Sequence, residues 1–332
     1  MTKVSIVGDD FTPPETLARA VRELDPSGRL ELSLHDLSGA RFQKDPVDGV
    51  EEYLGTPEDM VGFIADSEVL LTTFGPVTAD VIDRTDLELI VCGRGGPVNI
   101  DTRAAEASGV TVVNCPGRNV DAVAEYVIGL MMVLARRIIQ ADRWARDGLW
   151  VSGQEDSLEK PTGPELRGKT LGIVGFGAIG RRVATLASAF GMEVLVHDPF
   201  VDSDTDPAVA FVPKDELVKR STFLTVHARP PGDGTTTIRR AEISAMPESS
   251  FLINTSRGVN VDEDALLDGL ESGPLAGAAV DVLTEEPIDP DHPLLGRDDV
   301  IITPHAAGVS LDIPGRTARM MAHRLNDWLE GS

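Results

Sequence analysis

Residues 171–180 read LGIVGFGAIG, an apolar strand that runs into a Gly-x-Gly-x-x-Gly turn. A predicted helix, Arg181–Phe190, follows at once. A pyrophosphate needs close approach of the backbone and free N–H groups at the start of a helix, and glycine permits both. The stretch therefore predicts a doubly wound parallel sheet that binds a dinucleotide through Gly175, Gly177, Ala178, Ile179 and Gly180.

Asp198 ends the next predicted strand, 18 positions after Gly180. A carboxylate at this place can bind both hydroxyls of an adenosine ribose, and it repels a 2′-phosphate. Pro199 and Phe200 follow, so the chain offers no Arg or Lys there to hold such a phosphate. The sequence predicts NAD as cofactor in preference to NADP. The competing interpretation is a tight strand-to-helix turn followed by an exposed Asp.

Short runs rich in Val, Ile and Leu alternate with helix-like stretches along most of the chain, which is typical of parallel sheets covered by helices. The first series has five predicted strands, Val4–Val7, Leu30–Leu34, Val69–Thr73, Leu87–Cys92 and Val110–Asn114, with predicted helices at Pro14–Glu23, Pro57–Ala65, Ala79–Arg84 and Thr102–Ala107. The second has six predicted strands, Thr170–Val174, Glu193–His197, Thr222–His227, Phe251–Asn254, Ala276–Val282 and Val300–Thr303. The fold class is α/β with two sheets.

Three further segments complete the predicted organisation. An apolar stripe predicts one long helix over Val120–Asp147. The polar stretch Gly148–Gly168 is broken by Gly and Pro and predicts a surface excursion. The tail Val309–Leu329 is predicted to be helical.

The composition excludes several classes of protein. The 332 residues are 42% hydrophobic and 25% charged, as in globular proteins. With 30 Lys and Arg against 54 Asp and Glu, the formal charge is −24, which argues against nucleic-acid and membrane-surface partners. Only Cys92 and Cys115 are present, too few for a disulfide scaffold or a cysteine-based metal cluster. No apolar run is long enough to span a membrane, and we expect a cytoplasmic protein without a bound metal.

Polar residues end three predicted strands of the second series. The segments are Asn254–Asp262, Asp281–Pro287 and Pro304–Gly308. Because carboxyl ends of parallel strands line one crevice, these segments are expected to meet. Their Arg257, Glu286 and His305 suit reduction of a 2-keto acid: Arg offers a fork for a carboxylate, His a proton, and Glu a partner for the imidazolium. Each one singly could be a surface or loop residue.

These motifs together resemble the D-2-hydroxyacid dehydrogenase family, over nearly the whole chain. The resemblance implies a catalytic trio of Arg257, Glu286 and His305, with His305 as acid in reduction and base in oxidation. It also implies that Thr255 and Asp281 lie at the nicotinamide end of the cofactor. His227 and Ala228 would lie on its adenosine side.

The same resemblance implies a domain organisation. A flavodoxin-like substrate domain would comprise residues 1–115 and 309–332, a Rossmann NAD-binding domain residues 116–308, and the active site a cleft between them. A homodimer is expected, with the predicted helix Val120–Asp147 contributing to it. The chain ends after one helix, so no C-terminal regulatory module is expected.

A glycine-containing loop after a strand usually holds the substrate carboxylate in this family, and Gly95 and Gly96 match it. Arg94 precedes them, and it either neutralises a second anionic group of the substrate or forms a salt bridge with a nearby acid. Glyoxylate, hydroxypyruvate, 3-phosphoglycerate and branched keto acids all stay open as substrates. Formate is disfavoured because formate dehydrogenases of this fold have Gln in place of Glu286. The rival interpretation is an NAD(H)-sensing scaffold or corepressor with little turnover.

Overall fold

Two parallel sheets, one in each of two units, form the framework of the chain. The computed structural model describes residues 1–25, 28–43, 45–150, 161–202, 206, 208–232 and 234–331. Unit 1 comprises Met1–Arg118 and Ser310–Ser332, and unit 2 comprises Asn119–Val309. Both sheets carry helices on their two faces, as predicted.

Unit 1 has a five-stranded parallel sheet of order β2-β1-β5-β6-β7 and a small antiparallel pair, β3-β4. Its strands are β1 Thr2–Gly8, β2 Leu30–Asp36, β3 Phe42–Gln43, β4 Tyr53–Leu54, β5 Val69–Thr72, β6 Leu89–Cys92 and β7 Thr111–Asn114. Its helices are α1 Pro14–Leu24, α2 Pro57–Ile64, α3 Ala79–Asp83, α4 Thr102–Ala107 and α11 Ile313–Gly331. One face of the sheet is covered by α1 and α11, the other by the remaining helices.

Unit 2 has a seven-stranded parallel sheet of order β10-β9-β8-β11-β12-β13-β14. Its strands are β8 Thr170–Val174, β9 Glu193–His197, β10 Ala210–Phe211, β11 Phe223–Val226, β12 Ser250–Asn254, β13 Leu275–Val280 and β14 Val300–Ile302. Its helices are α5 Val120–Ala135, α6 Ile138–Arg146, α7 Ala178–Ala189, α8 Lys214–Arg220, α9 Arg240–Ser244 and α10 Glu263–Glu271. The strand order reverses between β8 and β11, where ligands bind in folds of this kind.

The prediction of one helix over Val120–Asp147 is wrong. Helix α5 ends at Ala135, and Arg137 adopts a left-handed backbone with φ 50° before α6 begins. At this point the chain near Gly163 crosses α5, and a Cβ on Gly163 would lie 1.8 Å from the Ala135 carbonyl oxygen. The crossing chain comes from the predicted surface excursion, of which residues 151–160 lie outside the described part.

Smaller differences concern short elements. Strand β10 and the pair β3-β4 were not predicted, because two residues are too few to show an alternating pattern. Helix α7 begins three residues before the predicted start, since Gly177 already takes the N-cap position. In the described ranges, no helix is long and apolar enough to cross a bilayer. Those ranges also hold no cluster of three or more His, Cys, Asp or Glu that could bind a metal ion.

Candidate active site

The glycine turn after β8 packs against the end of β11. Gly175 has φ +95°, and a Cβ there would lie 2.5 Å from the Ala228 backbone nitrogen. A Cβ on Gly180 would lie 2.3 Å from the Gly175 carbonyl oxygen. Both contacts are with backbone atoms, which cannot rotate away, so the fold itself requires glycine at these two positions.

The space beside Gly177 is open, in contrast. A Cβ built on Gly177 has no described atom within 4 Å, and α7 begins at the next residue, Ala178. The N–H groups of Ala178 and Ile179 belong to the first helical turn, where no intrahelical acceptor exists. An anion seated here would meet free N–H groups and the positive end of the helix dipole.

Asp198 lies at the end of β9 and braces the glycine turn. One carboxylate oxygen accepts a hydrogen bond from the Phe176 backbone N–H (2.7 Å) and the other from that of Phe200 (2.9 Å). The carboxylate is half-buried and adjoins the turn that would hold a pyrophosphate. Its position fits a ribose-binding acid. Its hydrogen bond from Phe176 also stabilises the glycine turn, a structural role that the sequence did not indicate.

Thr255 and His227 differ in what they offer a cofactor. The Thr255 hydroxyl oxygen is buried and has no hydrogen-bond partner among the described residues, so it suits a polar group supplied by a ligand. The His227 imidazole instead meets the Thr225 hydroxyl at 3.1 Å, and burial lowers the pKa of His227 to about 4. The ring is therefore neutral at pH 7, and the backbone of this segment, rather than the ring, faces Gly175.

His305 and Glu286 form a direct pair in the structure. His305 Nδ1 lies 2.9 Å from Glu286 Oε2, and the other carboxylate oxygen of Glu286 accepts the Leu283 backbone N–H at 3.2 Å. Half of the His305 side chain is exposed, against 23% for Glu286. The glutamate thus fixes one ring nitrogen and leaves the other directed away from it, as an acid/base histidine needs.

Asp281 anchors the loop that carries His305. Its carboxylate is almost fully buried and accepts hydrogen bonds from the Thr303 hydroxyl (2.6 Å) and the backbone N–H groups of Ala306 (2.8 Å) and Ala307 (2.9 Å). The His305 N–H also donates to the Asp281 carbonyl oxygen at 2.8 Å. These bonds hold His305 in a left-handed conformation, φ 54°, which non-glycine residues seldom adopt. The assigned role of Asp281 at the nicotinamide stays a prediction.

Arg257 is exposed at the end of β12, on a loop that is itself fixed. Buried Asn254 donates to the Arg257 carbonyl oxygen (2.9 Å) and accepts from the Ser256 N–H (3.1 Å) and hydroxyl (2.8 Å). The Arg257 guanidinium bonds only to the neighbouring Ser256 carbonyl (2.8 Å) among the described contacts. Most of its donors are therefore available to an anionic ligand.

Sequence reasoning did not single out two residues that build this site. A Cβ on Gly258 would lie 2.0 Å from the carbonyl carbon of Leu283, so the loops bearing Arg257 and Glu286 touch backbone to backbone. Asn260, fully buried, donates to the Ala228 carbonyl and to the Ser256 hydroxyl, both at 2.9 Å. The sequence feature that could have indicated Asn260 is its place as a polar residue between two apolar ones, Val259 and Val261.

The predicted substrate loop lies in unit 1, after β6. Gly95 and Gly96 have room for a Cβ, so packing within the unit does not explain these glycines. Arg94 is 12% exposed and forms an ion pair with the Glu52 carboxylate; it also donates to the Glu52 carbonyl oxygen at 2.8 Å. Its guanidinium lies 4.9 Å from the centroid of the Phe74 ring. The salt-bridge alternative for Arg94 is thus present in the structure, whereas contact with substrate stays a prediction.

Asp9 follows β1 in unit 1 and is fully buried. One carboxylate oxygen accepts the N–H groups of Phe11 and Thr12, both at 2.8 Å, while the other has no hydrogen-bond partner within the described ranges. Burial raises the pKa of Asp9 to about 6, although those N–H groups and Arg118 oppose the shift. Above about pH 6, ionisation of the buried Asp9 therefore lowers the free energy of unfolding.

Replacing Asp9 with Asn is expected to flatten the pH dependence of stability. The carboxyl loses its proton near pH 6 when folded but near 3.8 when unfolded, so its stabilising contribution is complete below 3.8 and lost as the pH rises through 6. The loss amounts to about 3 kcal/mol. Urea unfolding at pH 4 and pH 8 measures it, with exposed Asp86→Asn as control. Equal pH dependence in wild type and Asp9→Asn would contradict the buried charge.

Comparison with known proteins agrees with this geometry. Residues 128–307 match the family model described as D-isomer specific 2-hydroxyacid dehydrogenase, NAD binding domain. A glyoxylate reductase of Korarchaeum cryptofilum is 36% identical over 75% of this chain and 76% of its own length. A D-3-phosphoglycerate dehydrogenase of Methanocaldococcus jannaschii is 36% identical over 83% of this chain and 52% of its own. The crystal structure of the TT0316 protein of Thermus thermophilus has a TM-score of 0.78 at 30% identity, covering 99% of this chain and 97% of that one.

An NAD-binding parallel-sheet unit, with a paired His and Glu after its strand ends, is typical of a nicotinamide-dependent oxidoreductase. The chain belongs to the D-isomer specific 2-hydroxyacid dehydrogenase family.

Proposed function

We propose that this enzyme reduces a small 2-keto acid to a D-2-hydroxy acid, or catalyses the reverse reaction. The observation that carries the proposal is the 2.9 Å contact between His305 and Glu286, on strand ends of the NAD-binding unit. The exposed guanidinium of Arg257 supplies the cation that a keto acid carboxylate requires. The resemblance to the family assigns the backbone N–H groups of Gly95 and Gly96 to the substrate carboxylate.

Each residue has a defined part in the reaction. When bound, the nicotinamide dinucleotide supplies or accepts the hydride. Arg257 binds the substrate and polarises its carbonyl, and His305 delivers the proton to the carbonyl oxygen. Glu286 keeps the ring oriented and stabilises the imidazolium before that transfer. In oxidation His305 takes the proton back from the hydroxyl.

The cofactor is NAD in preference to NADP, because the Asp198 carboxylate would meet a 2′-phosphate with like charge. Gly177, the first turn of α7 and the unpartnered Thr255 hydroxyl provide the remaining contacts.

Loss of NADH absorbance with a panel of 2-keto acids tests the proposal, and NADPH is run in parallel. Turnover of one acid with NADH, abolished by substitution of His305, is the expected result. Higher activity with NADPH would contradict the role of Asp198. Tight NADH binding with no turnover of any acid would reject the enzyme and favour the NAD(H)-sensing scaffold.

The environment of Arg94 indicates which 2-keto acids the enzyme prefers. Since its charge is already neutralised by Glu52 and its face covered by Phe74, the loop offers little free positive charge to a phosphate. We therefore expect substrates with an uncharged tail, such as glyoxylate or hydroxypyruvate, to be preferred over the phosphorylated acid of the 3-phosphoglycerate reaction.

Replacing Glu52 with Gln is expected to improve use of the phosphorylated keto acid. The variant frees the Arg94 charge while keeping the backbone carbonyl contact at 2.8 Å. KM for 3-phosphohydroxypyruvate should fall about tenfold, with KM for glyoxylate unchanged. Exposed Glu51→Gln is the matched control, because it removes the same charge one residue away. An unchanged KM in Glu52→Gln would show that Arg94 is not near the substrate tail.

The protein is expected to be a homodimer through the surface of α6. None of the residues of α6 is buried, and Ile138, Ile139 and, just beyond the helix, Leu149 and Trp150 expose between 37% and 67% of their surface. A second copy of the chain would remove these side chains from water. Sedimentation equilibrium at micromolar concentration should give twice the chain mass of 35.5 kDa. A monomer under these conditions would contradict the assignment.

A further inference from the structure

Glu263, the first residue of α10, directs its side chain away from its own helix. The N-terminus of α10 is already capped by Asp262, whose carboxylate accepts the Ala265 N–H at 2.9 Å. Glu263 instead accepts the Thr284 backbone N–H at 2.7 Å and meets His292 Nε2 at 3.3 Å with its second oxygen. Its side chain is only 22% exposed, and the contact with His292 is partly buried, whereas Thr284 lies at the surface.

Both partners of Glu263 belong to the segment that carries Glu286. Thr284 lies two residues before Glu286, and His292 lies six residues after it. The preceding amide, that of Leu283, is held by Glu286 itself at 3.2 Å. Two consecutive backbone N–H groups are thus bound by two carboxylates, one of the acid/base pair and one of α10.

His292 is fixed in a single tautomer by this arrangement. Its Nδ1 accepts the Leu294 backbone N–H at 3.3 Å, so this nitrogen carries no proton. The proton of the neutral ring is therefore on Nε2, where it is donated to Glu263. Glu263 consequently ties both ends of the segment from Thr284 to His292 to the start of α10.

We propose that Glu263 is a positioning residue of the reaction: it fixes the segment from Thr284 to His292 and thereby holds Glu286 on His305. The expected effect of Glu263 on kcat rests on the proposed function, whereas its hold on the segment from Thr284 to His292 does not. Gly258, in the loop that carries Arg257, packs directly against the Leu283–Thr284 peptide. Displacement of this peptide would therefore move both Arg257 and Glu286.

Three variants test the proposal. Glu263→Ala removes both contacts and is expected to lower kcat between about tenfold and a hundredfold while leaving KM for NADH unchanged. Glu263→Gln keeps an acceptor for Thr284 and should restore most of the lost kcat. Asp264→Ala removes a like charge from the same helical turn at an exposed residue, and it should match wild type.

Hydrogen exchange of the Thr284 amide provides a readout that needs no substrate. Exchange should be at least about tenfold faster in Glu263→Ala than in Asp264→Ala or wild type. Unchanged exchange, or an equal loss of kcat in Asp264→Ala, would overturn the proposal. If the wild-type protein reduces no keto acid, the proposed function fails, whereas the exchange result still decides whether Glu263 holds the segment.

Discussion

Replacing His305 with Asn should lower turnover with the best keto acid by about 10²- to 10⁴-fold, the range typical of lost general acid–base catalysis. Asn cannot deliver a proton to the carbonyl oxygen, and its shorter side chain cannot reproduce the 2.9 Å contact with Glu286. Steady-state turnover of the best keto acid with saturating NADH measures the loss.

The His305→Asn substitution should lower the rate of the chemical step and leave cofactor binding unchanged. NADH affinity, measured by fluorescence titration, should stay at the wild-type value, since the proposed pyrophosphate contacts are at Gly177 and α7, away from His305. His323→Asn, at an exposed position of α11, is the control for a lost histidine. Retention of more than a tenth of wild-type turnover in His305→Asn would remove this residue from the proposed role.

The second large effect is expected for Gly258→Ala. The new methyl group would lie 2.0 Å from the Leu283 carbonyl carbon and 2.3 Å from the Thr284 nitrogen, where ordinary contact begins near 3.4 Å. Both are backbone atoms, so the loops bearing Arg257 and Glu286 must separate by more than 1 Å. A displacement of this size costs about 100-fold in rate, and kcat/KM measures it.

Gly296→Ala is the matched control for Gly258→Ala. Gly296 ends the short helix Pro293–Gly296 in the same unit, and a Cβ there meets no described atom within 4 Å. Thermal unfolding followed in parallel separates the two contributions: Gly258→Ala is expected to lower both Tm and activity, Gly296→Ala neither. Wild-type activity in Gly258→Ala would show that the contact between the two loops does not position the site.

The positions of strand ends could be predicted from the sequence because they depend on local pattern. The alternation of apolar runs predicted the five-stranded sheet of unit 1, and the polar residues after Asn254 and Val280 fell at the carboxyl edge of unit 2. Parallel order then brings such residues to one edge, whatever the lengths of the connections. The structure places His305 beside Glu286 on this basis, although their roles stay predictions.

Contacts between distant segments could not be predicted in the same way. The partner of Arg94 is Glu52, 42 residues earlier, and nothing in either neighbourhood specifies the other. The left-handed residue Arg137 interrupts an apolar stripe that reads as continuous, since an arginine carries no signal for a break. No sequence pattern singles out Glu263, because its hydrogen bond to Thr284 depends on the path of the loop after β13.

The His305 loop is hydrogen-bonded to Asp281, so the position of His305 depends on strand β13 more than on β14. In the chain His305 comes after β14, an edge strand of three residues, yet its loop is bonded to the end of the inner strand β13. An edge strand of this length can fray readily, and fraying would leave His305 beside Glu286. We therefore expect insertions between Gly296 and Asp299 to leave the contact between His305 and Glu286 intact.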